Sequence, residues 1–461
     1  MKFNTKYIFG ISMVSALGGL LFGYDWVVIG GAKPFYEQFF HISDSVNLQG
    51  WAMSSALLGC LLGSVISGIL SDRLGRKRML IFSALLFMVS AYGTGAADSY
   101  NWFIFYRILG GVGIGLASNL SPMYIAEISP AAMRGKFVSL NQLTIVIGIL
   151  TAQLVNWQIA ESVPVGSTGA DILASWNGQT GWRWMFYAEL IPAGLFFFLM
   201  FLVPESPRWL AKYGSEDKVE HILAKIGGYD YAKSEYGSIK ETLKTETEKV
   251  NFKELLQPGL KKVLLIGIVL AAFQQWSGIN VIFNYAEEVF KAAGYGVSDI
   301  LFNIVITGSV NLVFTFIAIY TVDKLGRKSL MLFGAGGLAG IYAFMGAAYY
   351  FNISGFLLLL LVVMAIAAYA MSLAPVTWVV LSEIFPNRIR GAAMAVATVS
   401  LWLASFLLTY TFPFLNQVLN ASGTFWLYGV ICVLGLIFIY YKLPETKGKS
   451  LEEIEYELTN K

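Results

Sequence analysis

The sequence predicts an all-α membrane protein of twelve transmembrane helices arranged as two six-helix pseudo-repeat halves. Three observations predict it. The 461 residues are 56% hydrophobic and only 13% charged, with a mean hydropathy of +0.63, which no water-soluble globule sustains. Apolar stretches long enough to cross a bilayer recur twelve times. Short loop motifs then repeat in register between the first six stretches and the last six.

The expected spans are 9–31, 50–70, 79–97, 103–126, 138–159 and 184–203, then 262–290, 300–321, 330–351, 355–381, 392–413 and 423–442. Lys2 and Lys6 before the first could open a signal peptide. The apolar run continues to about Gly31, however, beyond the roughly 7–15 residues of a signal core, so an uncleaved span is expected. Residues 204–261 form the only long hydrophilic stretch, rich in Lys and Glu, with 216–226 patterned as a short amphipathic helix. The expected units are therefore a first half (1–203), a cytoplasmic linker with short helices (204–261), a second half (262–443) and a cytoplasmic tail (444–461).

Charge sets the orientation. With the N-terminus inside, the inner loops collect Arg73, Arg76, Lys77, Arg78, Arg134, Lys136, the Lys-rich linker, Lys324, Arg327, Lys328, Arg388 and Arg390, while the other side keeps Lys33, Arg183 and Lys291. An even number of spans puts both termini in the cytoplasm. The net charge of +3 thus reports topology and implies no nucleic-acid partner. Cys60 and Cys432 lie in apolar runs, His41 and His221 are the only histidines, and no ligand set with metal spacing exists, so neither a disulfide framework nor a metal or other cofactor is expected.

Three pairs of loop segments repeat. Asp72-Arg73-Leu74-Gly75-Arg76-Lys77 after span 2 returns as Asp323-Lys324-Leu325-Gly326-Arg327-Lys328 after span 8. Glu127, Pro130, Arg134 and Gly135 return at the same spacing as Glu383, Pro386, Arg390 and Gly391; Pro204-Glu205-Ser206 is echoed by Pro444-Glu445-Thr446. Parallel repeats of this kind are a transporter architecture, with the ligand held near the midplane between the halves.

Polar residues inside spans mark where that ligand would sit. Gln274, Gln275 and Asn280 interrupt the apolar segment 271–285, and Ser277-Gly278 beside them can loosen the helix. Gln142 in span 5 and Asn311 in span 8 are further amides. Amides have no water to bond in a bilayer core, so they face a cavity, a partner helix or a ligand. An amide both donates and accepts, which suits hydroxyl groups, whereas an anion calls for Arg or Lys. A neutral polyol is the expected ligand; the alternative is that the amides join helices. Asp25 in span 1 and Arg107 in span 4 are charges at depth, each costing roughly 2.5–3.5 kcal/mol on insertion scales, so a pair or a wet cavity is expected. A carboxylate whose partner comes and goes would bind and release a proton with conformation. The alternative is a fixed structural pair.

The loop motifs, Pro-Glu-Ser-Pro-Arg-Trp-Leu at 204–210 and the 274–280 stretch together resemble the sugar porter family of the major facilitator superfamily, over essentially the whole chain. The resemblance implies proton-coupled symport of a neutral monosaccharide, a pentose or hexose such as D-xylose or D-glucose, by alternating access; an uncoupled facilitator or a sugar sensor are the alternatives. The short tail argues against a sensor. No enzyme is expected, since Asp25 lacks a partner carboxylate in a Gly-Asp motif and no Ser/His pair sits in the spans.

Residue by residue, the resemblance implies sugar contacts at Gln142, Gln274, Gln275, Asn280, Asn311 and Trp378, with Phe22, Tyr285 and Trp402 lining or gating the cavity. Proton-coupled members carry an acid and an arginine at Asp25 and Arg107, facilitators often an Asn for the acid, and Glu189 is a second carboxylate for the relay. Asp72, Arg76, Glu127, Arg134, Arg208, Asp323, Arg327, Glu383 and Arg390 would form salt-bridge networks that shut the inner gate. Leu401, Ile149 and Ala374 depart from the family pattern, which leaves the preferred sugar open. The implied partners are a monosaccharide, a proton and the lipid bilayer, for a chain functional as a monomer in a bacterial inner membrane.

Overall fold

The computed structural model describes residues 3–164, 166–214, 216–245, 255, 257–386, 389–449 and 451–459, with the side chain of Asp323 and a few others outside the described set. It is all helical among those residues. The first half comprises span 1 (Thr5–Phe39), span 2 (Val46–Leu74), span 3 (Arg76–Ala96), span 4 (Tyr100–Ile128), span 5 (Arg134–Ile159) and span 6 (Asn177–Met200). The second comprises span 7 (Gly259–Asn284), span 8 (Val297–Leu325), span 9 (Arg327–Tyr350), span 10 (Phe356–Ile384) and a helix Arg390–Lys442 that contains spans 11 and 12. Asn420 divides those two, since its φ of 57° and ψ of 177° are not helical. A single residue reverses the chain there, so eleven apolar helices make twelve crossings.

Within the first half, glycines let helices touch backbone to backbone. A Cβ on Gly59 of span 2 would lie 2.1 Å from the Ile108 carbonyl of span 4, and one on Gly111 would lie 1.9 Å from the Ala56 carbonyl. Gly23 and Gly148 do the same for spans 1 and 5, at 1.9 and 2.0 Å from the opposing carbonyls of Ile145 and Leu20. Lipid is as apolar as leucine, so such close packing rather than apolar burial holds membrane helices together. The outward surface carries Leu62, Val65, Ile69, Ile191, Leu202 and Val418, all exposed, as a bilayer requires.

Three elements depart from the expected run of spans. Span 1 continues to Phe39 because Lys33 and Glu37, which end the apolar run, neutralise each other one turn apart. Span 7 stops at Trp276 and restarts at Ile279, with Gly278 left-handed at φ 85° between them and Tyr428 2.8 Å from where its Cβ would stand. Only glycine adopts that conformation and fits that gap. Span 10 is likewise interrupted, at Ser372. Between the halves, helices Pro207–Tyr213, Glu216–Gly227 and Tyr229–Thr245 bury Val219, Ile222, Leu223 and Ile226 against Ile8 of span 1. Residues 246–254 of the linker lie outside the described set.

The polar bonds that join the two halves among the described residues lie at the ends opposite the termini. They are Lys33 with Glu287 and Glu288, Tyr410 Oη to Asn47 Oδ1 at 2.7 Å, and Val163 N to Ser298 Oγ at 3.0 Å. Trp51 against Phe406 and Trp157 against Phe302 pack beside them. The bundle is therefore closed at the end away from the termini.

Candidate functional site

The interruption of span 7 places its amides. Ending the helix at Trp276 turns Asn280 back toward Gln275, whose Oε1 accepts from Asn280 Nδ2. Gln275 Nε2 approaches Gln274 Oε1 at 3.4 Å, and Gln274 Nε2 donates to the Leu373 and Ala374 carbonyls of span 10 at 3.3 and 3.2 Å. All three amides are buried. Spans 7 and 10 thus meet at their interruptions, and Trp378, half-buried, follows one turn below on span 10.

Aromatic rings close the space from the first half. Phe22 and Trp26 of span 1 meet Trp402 of span 11, with centroids 5.9, 5.9 and 6.0 Å apart. The buried indole Nε1 of Trp402 has no protein partner among the described residues, so a donor waits at this junction. Gln142 is half-buried and Asn311 buried, and neither bonds to another of the expected residues. Leu401 and Ala374, which carry no polar side-chain atoms, add none to the wall. Tyr285 stands apart: its Oη donates to the Thr409 carbonyl at 2.7 Å, its ring packs on Phe412 and Lys33 lies 6.0 Å from it, at the closed end.

Asp25 and Arg107 form a buried pair inside the first half, with Arg107 Nη2 also donating to the Asp25 carbonyl at 3.2 Å. Gly110 leaves the room, since a Cβ there would lie 2.8 Å from Asp25 Oδ2 and 2.3 Å from Ser90 Oγ. Glu189, at the step between the two segments of span 6, is buried close enough to feel both charges. Asp25 Oδ2, Arg107 Nε and Glu189 Oε1 have no protein hydrogen-bond partner among the described residues. A buried pair left so incomplete is costly unless another state or a ligand completes it. A cavity of about 10 Å³, room for roughly one water, reaches from Arg107 past Trp26 to Asn284 of span 7.

The loop charges tie elements within each half. Arg76 reaches Asp72 Oδ1 at 3.0 Å and Glu127 at 3.1 Å, and Arg327 reaches Glu383 at 3.1 Å. Glu205 accepts the backbone N–H groups of Arg76 and Lys77 at 3.0 Å, and Glu445 those of Arg327 and Lys328 at 2.9 and 3.1 Å. Each carboxylate sits on a helix N-terminus, where unpaired N–H groups and the helix dipole favour an anion. Arg134 and Arg390 donate to the Ala126 and Phe385 carbonyls, and Arg208 lies in the helix Pro207–Tyr213. The side chain of Asp323 is outside the described residues.

Sequence reasoning did not single out Trp26, Asn284 or the Lys33 carboxylate cluster. Asn284 carries a signal, being one helical turn after Asn280 on the same apolar segment. Lys33 and Glu37 carry another, as an i, i+4 pair at the edge of an apolar run. Trp26 carries none beyond its place beside Asp25.

Residues 11–458 match the family model described as "Sugar (and other) transporter". The chain is 42% identical to the D-xylose-proton symporter of Escherichia coli (strain K12), over 98% of this chain and 96% of that one. It is 35% identical to the glucose facilitated diffusion protein of Zymomonas mobilis, over 96% of each. Its structure is similar to the inward-open conformation of the xylose transporter XylE from E. coli, with a TM-score of 0.85 and 40% identity over 98% of this chain and 100% of that one. Fold, repeated halves and full-length identity agree that this multi-pass membrane protein belongs to the sugar porter family of the major facilitator superfamily, and is a transporter rather than an enzyme.

Proposed function

We propose that the chain carries a neutral monosaccharide, a pentose or hexose such as D-xylose or D-glucose, together with a proton by alternating access. The observation that carries this reading is the buried, incompletely bonded Asp25–Arg107 pair with Glu189 beside it. A titratable carboxylate with spare oxygen, whose partner Arg107 lines a water-sized cavity together with Trp26 and Asn284, is where a proton can join a sugar-driven change of state. Gln142, Gln274, Gln275, Asn280, Asn311 and Trp378 bind the sugar, and Phe22, Tyr285 and Trp402 close over it. Among the described residues the wall holds amides and rings and no free cation, which fits hydroxyl groups and a pyranose face. The 42% identity to a D-xylose-proton symporter supports the coupled reading.

The chain sits in a bacterial plasma membrane with both termini in the cytoplasm, and functions as a monomer. In that orientation the structure is closed outside. The loop charges, Arg134, Arg208 and Arg390 among them, hold the inner ends together in the opposite state. Purified protein in proteoliposomes, offered a panel of labelled pentoses and hexoses with and without an imposed proton gradient, tests the reading. Uphill accumulation of one sugar that depends on the gradient is expected. Equilibration without accumulation would make the chain a facilitator, like its glucose-carrying relative, and absence of uptake for every sugar would overturn it.

A further inference from the structure

The end opposite the termini holds a second cluster of buried charge. Lys33 Nζ lies 2.9 Å from Glu37 Oε1, 3.5 Å from Glu287 Oε2 and 2.5 Å from Glu288 Oε1. Lys33 is 2% exposed and Glu37 6%. Lys33 and Glu37 belong to span 1, whereas Glu287 and Glu288 open the helix Ala286–Ala292 that continues span 7. The cluster is therefore assembled from both halves and exists only while they meet here.

One ammonium faces three carboxylates. With all four ionised, a largely buried interface, in which the Glu287 and Glu288 side chains are 12% and 23% exposed, would hold two uncompensated negative charges, and carboxylates sharing a site resist ionising together. The other titratable groups around the cluster are the phenols of Tyr36, Tyr285, Tyr100 and, behind Tyr100, Tyr410, which bring no positive charge. Glu288 Oε2 is buried without a hydrogen bond among the described residues, and Glu37 Oε1, also buried, has Lys33 Nζ at 2.9 Å as its ion-pair partner. Each is a place where a protonated carboxyl would relieve the charge. When spans 1 and 7 part, solvent reaches all three carboxylates and the reason to hold a proton is gone.

We propose that this cluster is a second proton-binding site, which takes up a proton from the outer solution onto Glu37, Glu287 or Glu288 when the outer ends of spans 1 and 7 close, and returns it there when they open. The proposal rests on the transporter reading with the termini inside. Because the proton enters and leaves on one side, it adds nothing to the ratio of protons to sugars carried. It makes external acid favour the inward-facing state. For one proton the closed-to-open ratio rises by up to about tenfold per pH unit.

The experiment is a distance measurement by paired spin labels at His41→Cys and Ala292→Cys, both exposed at the outer ends, on full-length protein in lipid nanodiscs from about pH 8 to pH 5. It is made in an Asp25→Asn background, so that the inner carboxylate does not titrate. The expected result is a closed population that grows as pH falls, and a flat profile with the closed state held throughout once Glu288→Gln is added. Glu37→Gln serves as a second variant, with the same flat profile expected, should Glu288→Gln not fold. A flat profile before the glutamine is introduced, or an unchanged slope after it, overturns the proposal. Labelled-sugar counterflow on the same preparations separates the two readings: counterflow with a flat profile sinks only this site, and no counterflow even by the protein with Asp25 intact sinks the transporter reading.

Discussion

The side-chain amide of Gln274 donates to the carbonyl oxygens of Leu373 and Ala374, and so ties the interruption of span 7 to the interruption of span 10. Interrupted helices leave backbone groups that a bilayer cannot satisfy, and these two satisfy each other's needs in part through one amide. Its neighbour Gln275 has no such backbone duty, bonding to Gln274 and Asn280.

The two glutamines are therefore expected to separate. Gln275→Ala should weaken sugar binding by up to roughly tenfold, for hydrogen bonds worth about 0.5–1.5 kcal/mol each, with little change in thermal unfolding. Gln274→Ala should lose affinity and also about 1 kcal/mol of stability, because a backbone tie goes with it. Calorimetric titration and thermal unfolding in the same detergent would show the split. Unchanged affinity in both would mean that the amides serve only to join helices.

Trp378→Ala should lose sugar affinity through the missing ring face. The fair comparison is Trp184→Ala, since Trp184 is 53% exposed at the far end of the bundle, whereas Trp182 is fully buried among Phe39, Phe40, Phe103 and Phe186 and its truncation should destabilise the fold by about 3–5 kcal/mol. Equal losses of affinity for Trp378→Ala and Trp184→Ala would remove span 10 from the sugar site.

Glu445 gives a pH signature outside the membrane. Burial raises the pKa of its carboxyl, but backbone N–H groups of Lys447, Arg327, Ser329 and Lys328 more than offset this and hold it below the ordinary value. A depressed carboxyl contributes stability above its unfolded pKa, about 4.3, and loses it as pH falls through the folded value. Glu445→Gln should therefore lower the unfolding temperature at pH 7, by an amount set by about 1 kcal/mol for a partly exposed charged cap. The difference from wild type should shrink as pH drops below about 4. A difference that persists in acid would mean that shape rather than charge holds the tail to span 9.

The spans, their duplication and the break at Ser277-Gly278 were legible because each is local: an apolar run, a repeated string, a glycine among amides. The break at Ser372 carries a quieter signal, Pro375, which offers no backbone N–H and crowds the carbonyl of Met371 four residues back; what the sequence does not show is that Gln274 arrives from another helix to bond the carbonyls of Leu373 and Ala374. The true end of span 1 was hidden for the same reason. Lys33 and Glu37 read as the edge of the membrane until Glu287 and Glu288 of the other half are placed against them. Trp26 was invisible in a chain that is 15% aromatic, where no period distinguishes a cavity ring from a packing ring.

The proposed coupling site lends itself to the sharpest test. Asp25 and Arg107 are 1% and 2% exposed, and the pair leaves Oδ2 and Nε without a partner among the described residues. If a proton crosses with each neutral sugar, the membrane potential contributes about 2.3 kcal/mol per 100 mV, enough for roughly fiftyfold accumulation before any pH gradient is added. Asp25→Asn keeps the shape and can still accept from Arg107 through its carbonyl oxygen, but it cannot carry a proton. The variant should exchange labelled sugar in counterflow at a rate within a few-fold of wild type, and should fail to concentrate it under an imposed gradient. Removing Arg107 acts differently, because it strands a buried carboxylate without its cation, which costs several kcal/mol unless the group takes up a proton. Arg107→Met should therefore hold Asp25 protonated and slow both accumulation and counterflow. Full uphill accumulation by Asp25→Asn in proteoliposomes would move coupling to another group, with Glu189, buried beside the same pair, the next to replace.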